Sequence, residues 1–93
     1  MTVAFFAYLR EADFAGCKQL SMPCPGTVLE LGRALSARYG AKFRGEFFNP
    51  EGTGLGERII VMVNGRRVEF LGGVHAPLQE SDTVQIFPVV AGG

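Results

Sequence analysis

The residues with the clearest chemical potential are the last two, Gly92 and Gly93. They follow a strand-like run, Thr83 to Phe87, then Pro88, two valines and an alanine. Glycine has no Cβ and tolerates almost any backbone angle, so a Gly-Gly end fits a channel too narrow for other residues. The α-carboxylate at the tip is ionised at neutral pH. A slim, unhindered carboxylate on a tether suits delivery into another protein's active site. Proline has no N–H to give to a β-ladder, so Pro88 is the expected end of sheet pairing. The five residues beyond it reach roughly 17 Å at about 3.4 Å each. The chain has 13 glycines in 93 residues. At that frequency a Gly-Gly ending arises by chance in roughly 2% of chains, so the residues before it must carry much of the weight.

Other candidate chemistry is thinner. Cys17 and Cys24 are not spaced as C-x-x-C, which argues against a structural zinc knuckle or a redox motif. Two thiols cannot supply the usual four ligands of an iron–sulfur cluster. They read as reduced thiols on or near a strand, with a bridge across the short loop as the minority alternative. His75 is the single histidine and reads as a loop residue without catalytic duty. Gly52-x-Gly54-x-Gly56 faintly suggests a phosphate-binding loop, but no Gly-Lys-Ser/Thr follows it, and a surface loop is the better reading. No Ser–His–Asp set, carboxylate dyad or metal cluster can be assembled. The expectation is a chain that is not itself an enzyme and has no cofactor-binding or metal-binding residues.

Ninety-three residues make one domain with a single modest core. A hydrophobic fraction of 47% against a charged fraction of 19% fits a folded globule rather than a disordered chain. The formal net charge of +0 predicts no general attraction to nucleic acid or to an anionic membrane. The apolar runs are too short for a membrane span, and the first residues lack the basic start of a signal peptide. A cytosolic protein is expected.

The elements that position the tail follow in order. Thr2 to Leu9 predicts a strand with apolar side chains on both faces, suited to the sheet centre. Cys17 to Met22 predicts a second, weaker strand pairing with it as a hairpin. After Pro23-Cys24-Pro25-Gly26, Thr27 and Glu30 make a capping box for a helix. Val28, Leu31, Leu35 and Tyr39 share one face of that helix, and Gly40 is its expected left-handed stop. Residues 41–57 are the least legible; Phe43, Phe47 and Phe48 would pack under the helix through a short turn. Ile59 to Val63 predicts a buried strand. Asn64-Gly65 is a type I′ hairpin turn, and Arg66 to Phe70 would return as a charged edge strand. An irregular crossover, residues 71–78, leads to the last strand, Thr83 to Phe87.

One amphipathic helix and one mixed sheet make a two-layer α+β domain. With the first and last strands parallel at the centre, the fold is a β-grasp, ubiquitin-like one. The chain resembles a known family at this point. Ala4-Phe5-Phe6-Ala7-Tyr8-Leu9-Arg10-Glu11 is similar to that family's opening pattern. Val63-Asn64-Gly65-Arg66 is similar to its hairpin. Asp82-Thr83-Val84-Gln85-Ile86-Phe87-Pro88, ending Val90-Ala91-Gly92-Gly93, is similar to its C-terminal signature. The family is the small subunit of molybdopterin synthase together with the related thiamine-pathway sulfur carriers, and the ending favours the molybdopterin branch. Val89 stands where a second proline is common, and Arg67 where the hairpin is often apolar.

The resemblance implies one sulfur-carrier domain, residues 1–93, with a flexible tail at 88–93. It implies that an E1-like adenylating enzyme uses ATP to activate the Gly93 carboxylate. A persulfide sulfur donor then displaces AMP and leaves a C-terminal thiocarboxylate. Gly92 supplies flexibility, and the tail enters the large molybdopterin synthase subunit, which carries the catalytic lysines. Phe6, Phe87, Pro88, Val89, Val90 and Ala91 are the expected partner-binding residues. By strand alternation Phe6 and Phe87 lie on the outer face of the sheet; burial under residues 41–57 is the alternative for them. Transfer to another sulfur pathway and conjugation to target lysines through Gly93 remain open alternatives.

Overall fold

The structure is a computed structural model that describes residues 1–89. Five strands and two helices follow one another as β1 (Thr2–Phe5), β2 (Gln19–Ser21), α1 (Val28–Tyr39), α2 (Ala41–Phe47), β3 (Ile59–Val63), β4 (Arg66–Arg67) and β5 (Thr83–Pro88). The sheet order is β2-β1-β5-β3-β4. β1 and β5 run parallel, with Val3 opposite Val84 and Phe5 opposite Ile86, and every other pairing is antiparallel. The outermost elements of the sequence therefore meet at the centre of the sheet, the β-grasp arrangement.

Alternation decides the layers. Val3 and Phe5, Ile59, Val61 and Val63, and Val84 and Ile86 are all buried, while the residues between them are not. These inner side chains join Val28, Leu31 and Leu35 of α1 and Phe43 and Phe47 of α2 in one core. Helices thus cover one face of the sheet, and burial of apolar area there supplies the main driving force for the fold.

α1 begins as its sequence predicts. The Thr27 hydroxyl oxygen accepts the Glu30 N–H at 3.2 Å and donates to the Glu30 carboxylate at 3.1 Å. It ends at Gly40, whose φ of 101° is positive but whose ψ of −173° is extended rather than left-handed helical. α2 starts immediately, so the segment least legible in the sequence opens with a second helix and continues as a loop. Phe43, Phe47 and Phe48 are buried as expected. Phe5 meets Tyr39 and Phe43 edge-on at 5.7 and 6.0 Å between ring centroids. Gly32 makes the close α1–α2 contact possible: a Cβ there would stand 2.4 Å from the Phe47 ring and 2.5 Å from the Phe48 ring.

Three strands are shorter than their apolar patterns suggest. β1 stops at Phe5 instead of running to Leu9. Ala7 takes a positive φ of 53°, and Ala7–Arg10 form a 3₁₀ turn that buries Leu9. β2 is confined to Gln19–Ser21. The return strand after Asn64-Gly65 pairs only through Arg66 and Arg67, and a 3₁₀ turn at Val68–Phe70 then drives Val68 into the core. After β1 and β4 one apolar side chain, Leu9 and Val68 respectively, is buried by leaving the sheet.

Candidate functional site

Pro88 splits the end of β5 into two different edges. Towards β1, the parallel ladder places Phe6 N–H on Ile86 O at 3.2 Å. The next bond of that ladder would run from the amide of residue 88 to Phe6 O. Proline has no amide hydrogen, and Phe6 O instead accepts Leu9 N–H at 3.2 Å from the 3₁₀ turn. Towards β3, Pro88 sits opposite Ile59, and Val89 N–H donates to Arg58 O at 2.7 Å. Pairing therefore ends at Pro88 on one side, as its chemistry predicts, and passes beyond it on the other. Pro88 belongs to β5, so the tail boundary expected at residue 88 falls inside the strand. Val89 itself is 42% exposed. Val90, Ala91, Gly92 and Gly93 lie outside the described residues.

The outer face of the sheet is apolar beside this end of β5. Phe6 and Phe87 stack at 4.2 Å with 13° between ring planes. Register places Ile60 opposite Phe87, and Ala4 and Met62 on either side of Gln85. Phe6, Phe87, Ile60 and Met62 are only half-buried, and α2 packs against the opposite face. Of the segment 41–57, Phe43, Phe47 and Phe48 turn into the core on that opposite face. An apolar patch flanked by Gln85 and Arg67 has the character of a protein-docking surface.

Arg10 organises the patch and was not among the expected site residues. Its Nε donates to Phe5 O at 2.6 Å, and its guanidinium lies 5.1 Å from the centroid of the Phe6 ring. The signal for it was present in the opening motif, where Arg10-Glu11 closes the aromatic run. Phe70, 80% exposed on the turn after β4, is another aromatic that alternation alone did not single out. Arg67 pairs with Glu69 at 2.7 Å and stands opposite Met62 at the rim of the patch.

A polar network lies near the same end of β5. The Tyr8 hydroxyl donates to Glu46, and Arg58 Nη2 stands 3.7 Å from the other Glu46 oxygen. Burial, followed by the Glu46 hydrogen bond and charge, pushes the Tyr8 hydroxyl up from 10.0 to about 12, against the opposing influence of Arg58.

The remaining candidates take ordinary places. Cys17 and Cys24 are free and half-buried, and Cys17 Sγ lies 3.6 Å from the Tyr39 hydroxyl. His75 is exposed at the end of a 3₁₀ turn. The Gly52–Gly56 loop is closed on itself by the Phe48–Leu55 bridge and by Asn49, whose Oδ1 accepts Thr53 N–H at 2.9 Å. Among the described residues no group of three metal-ligating side chains is gathered, and no helix is long and apolar enough to cross a membrane.

A parallel β1–β5 centre, with helices on one face of the sheet and a half-buried apolar patch on the other, defines a β-grasp protein. The ThiS family model matches residues 3–93. The chain belongs to the ThiS family, whose members here are ubiquitin-like small sulfur carriers and modifiers. Among solved structures it is similar to CysO in the Amycolatopsis orientalis BexX/CysO complex, with 33% identity, 99% of this chain and 98% of that chain covered, and a TM-score of 0.82. It is similar to small archaeal modifier protein 1 of Methanosarcina acetivorans, with 30% identity, coverage of 99% and 94%, and a TM-score of 0.79. It also resembles a Pyrococcus furiosus protein assigned as molybdopterin converting factor subunit 1, with 29% identity, coverage of 96% and 95%, and a TM-score of 0.69. No curated protein sequence matches the chain.

Proposed function

We propose that the chain carries sulfur as a thiocarboxylate on Gly93 and delivers it as the small subunit of a molybdopterin synthase. The observation that carries this reading is the Phe6–Phe87 stack at the end of β5, close to Val89, the last described residue. A partner seated on that face would lie close to the start of the tail, so delivery of the terminal carboxyl would become an effectively intramolecular event.

The chemistry explains why an activating partner is needed. A carboxylate is a poor electrophile, because displacement by sulfur would have to expel oxide. An E1-like enzyme would first join the Gly93 carboxylate to the AMP portion of ATP with release of pyrophosphate. The persulfide donor's terminal sulfur then attacks the carbonyl carbon and AMP leaves. Cleavage of the resulting acyl disulfide by a thiol frees the thiocarboxylate. This chain contributes the docking face and the slim end, and no step needs a cofactor resident on it. In the large subunit the thiocarboxylate sulfur passes to the pterin precursor, and Gly93 returns as a carboxylate.

The molybdopterin branch is supported by the Phe87-Pro88-x-Val90-Ala91-Gly92-Gly93 ending and by similarity to the Pyrococcus protein. Mixing the thiocarboxylated chain with a molybdopterin synthase large subunit and the pterin precursor tests it. The expected result is molybdopterin formation that depends on Gly93; absence of product with retained thiocarboxylate would overturn the branch. A second reading has its own support: the higher identity to CysO in its complex with BexX favours a different sulfur-accepting enzyme. Transfer of sulfur to such an enzyme, and not to the large subunit, would select it.

A further inference from the structure

The second helix and the loop after it have no part in the sulfur chemistry, yet they converge on the base of the tail. Tyr8 comes from the turn after β1, Glu46 from the last turn of α2 and Arg58 from the residue before β3. Glu46 binds both of the others. Its side chain is 12% exposed while that of Arg58 is 68% exposed, so the carboxylate is largely shielded from competing water. Beside them Gly56 is pressed against the end of α2. Its N–H donates to Phe47 O at 2.8 Å, and a Cβ on it would stand 2.5 Å from Glu46 O. Residues 56–58 are therefore tied to α2 by the Gly56 backbone bond and by the Arg58–Glu46 side-chain ion pair. The carbonyl of that same Arg58 accepts the Val89 N–H at 2.7 Å.

We propose that Tyr8, Glu46, Gly56 and Arg58 form a bracket that fixes Val89, and with it the point from which residues 90–93 set out. They are positioning residues, acting on Val89 through the Arg58 carbonyl. The bracket matters because Pro88 removes the bond that would otherwise tie this point to β1, leaving the β3 side to hold the end of the strand. Terminal strand bonds open far more readily than interior ones. A fixed starting point narrows the space the end must search and raises its effective concentration in a partner's site. This role rests on the carrier reading above, but the anchoring of Val89 is measurable without it.

The test is amide hydrogen exchange by NMR on the full chain, comparing the native protein with Glu46→Ala and Tyr8→Phe, alongside kinetics with an E1-like activating enzyme and ATP. In Glu46→Ala, Val89 exchange should rise by about five-fold, the scale of one weakened backbone hydrogen bond, while Val61 and Ile86 stay within about two-fold. Its KM for the activating enzyme should rise more than its kcat falls. Tyr8→Phe, which removes only a hydroxyl, should give a smaller rise at Val89 and keeps the test open if Glu46→Ala fails to fold. Unchanged Val89 exchange in both variants, or a rise matched at Val61 and Ile86, overturns the bracket. Selective loosening of Val89 in a chain that no activating enzyme adenylates would retain the bracket and sink the carrier reading. Thiocarboxylation without selective loosening would do the reverse.

Discussion

The rings of Phe6 and Phe87 lie 4.2 Å apart and 13° from parallel, on the sheet face opposite the helices. Phe6 directly follows β1 and Phe87 lies in β5, each one residue past a core residue of the parallel pair, Phe5 and Ile86. The stack therefore joins the first and last strands close to Val89, the last described residue. Offset aromatic pairs of this kind add about 0.5–1.5 kcal/mol beyond their buried area.

Truncation of the stack should separate docking from folding. Phe87→Ala is expected to weaken partner binding about ten-fold or more, as loss of a central aromatic anchor does. Its cost to stability should be smaller than that of Phe47→Ala, which empties a fully buried site and should cost about 3–5 kcal/mol. Titration calorimetry with the partner and urea unfolding measure the two effects. Equal loss of both would remove the interface assignment.

Gly32→Ala tests the close approach of the two helices. An alanine in mid-helix normally gains about 1 kcal/mol over glycine. Here the added methyl collides with the Phe47 and Phe48 rings, and net destabilisation of about 1–3 kcal/mol is expected from overpacking. Urea unfolding decides, and a stabilised variant would show that α1 and α2 part easily.

Alkaline pH should expose the Tyr8–Glu46 bond. Tyr8 has a folded value raised to about 12 from 10.0, so the folded state holds the phenolic proton more tightly than the unfolded state does. That contribution is fully present below 10.0 and is lost as pH rises through about 12. Tyr39 is also shifted upward, by burial first and then by its Cys17 contact. Stability should therefore fall with pH across this window, and Tyr8→Phe should flatten the slope without abolishing it. Denaturant midpoints taken at several alkaline pH values give the answer.

Replacement of Gly92 by valine tests the slimness required of the end. Valine restricts the backbone and adds a branched side chain where the proposed partner channel is narrow. Adenylation by an activating enzyme should fall at least about ten-fold, with the urea midpoint unchanged; each ten-fold loss corresponds to about 1.4 kcal/mol at the reacting complex. Full activity in this variant would show that any residue is accepted there.

Much of the fold could be read from local chemistry. Thr27 and Glu30 announced the start of α1, and Asn64-Gly65 the tight turn after β3, because each acts through its own neighbours. Alternation placed Phe6 and Phe87 on the outer face. What escaped depends on distant partners. α2 is seven residues long, too short to be stable alone in water, and it exists because Phe43 and Phe47 pack on α1 and β1. The turn at Ala7 requires an unfavourable backbone angle that tertiary packing of Leu9 offsets. Arg10 and Glu46 act across the sequence, on the Phe6 ring and on Tyr8 and Arg58, so neither role is visible in its own neighbourhood.

The most direct test of the carrier reading is the intact mass of the full chain after incubation with an E1-like adenylating enzyme, ATP and a persulfide donor. The account predicts a mass gain equal to the exchange of one oxygen for one sulfur, confined by fragmentation to Gly93 and absent when ATP is omitted. An unchanged mass under conditions that load a known sulfur carrier, or sulfur found on Cys17 or Cys24 instead, would contradict it.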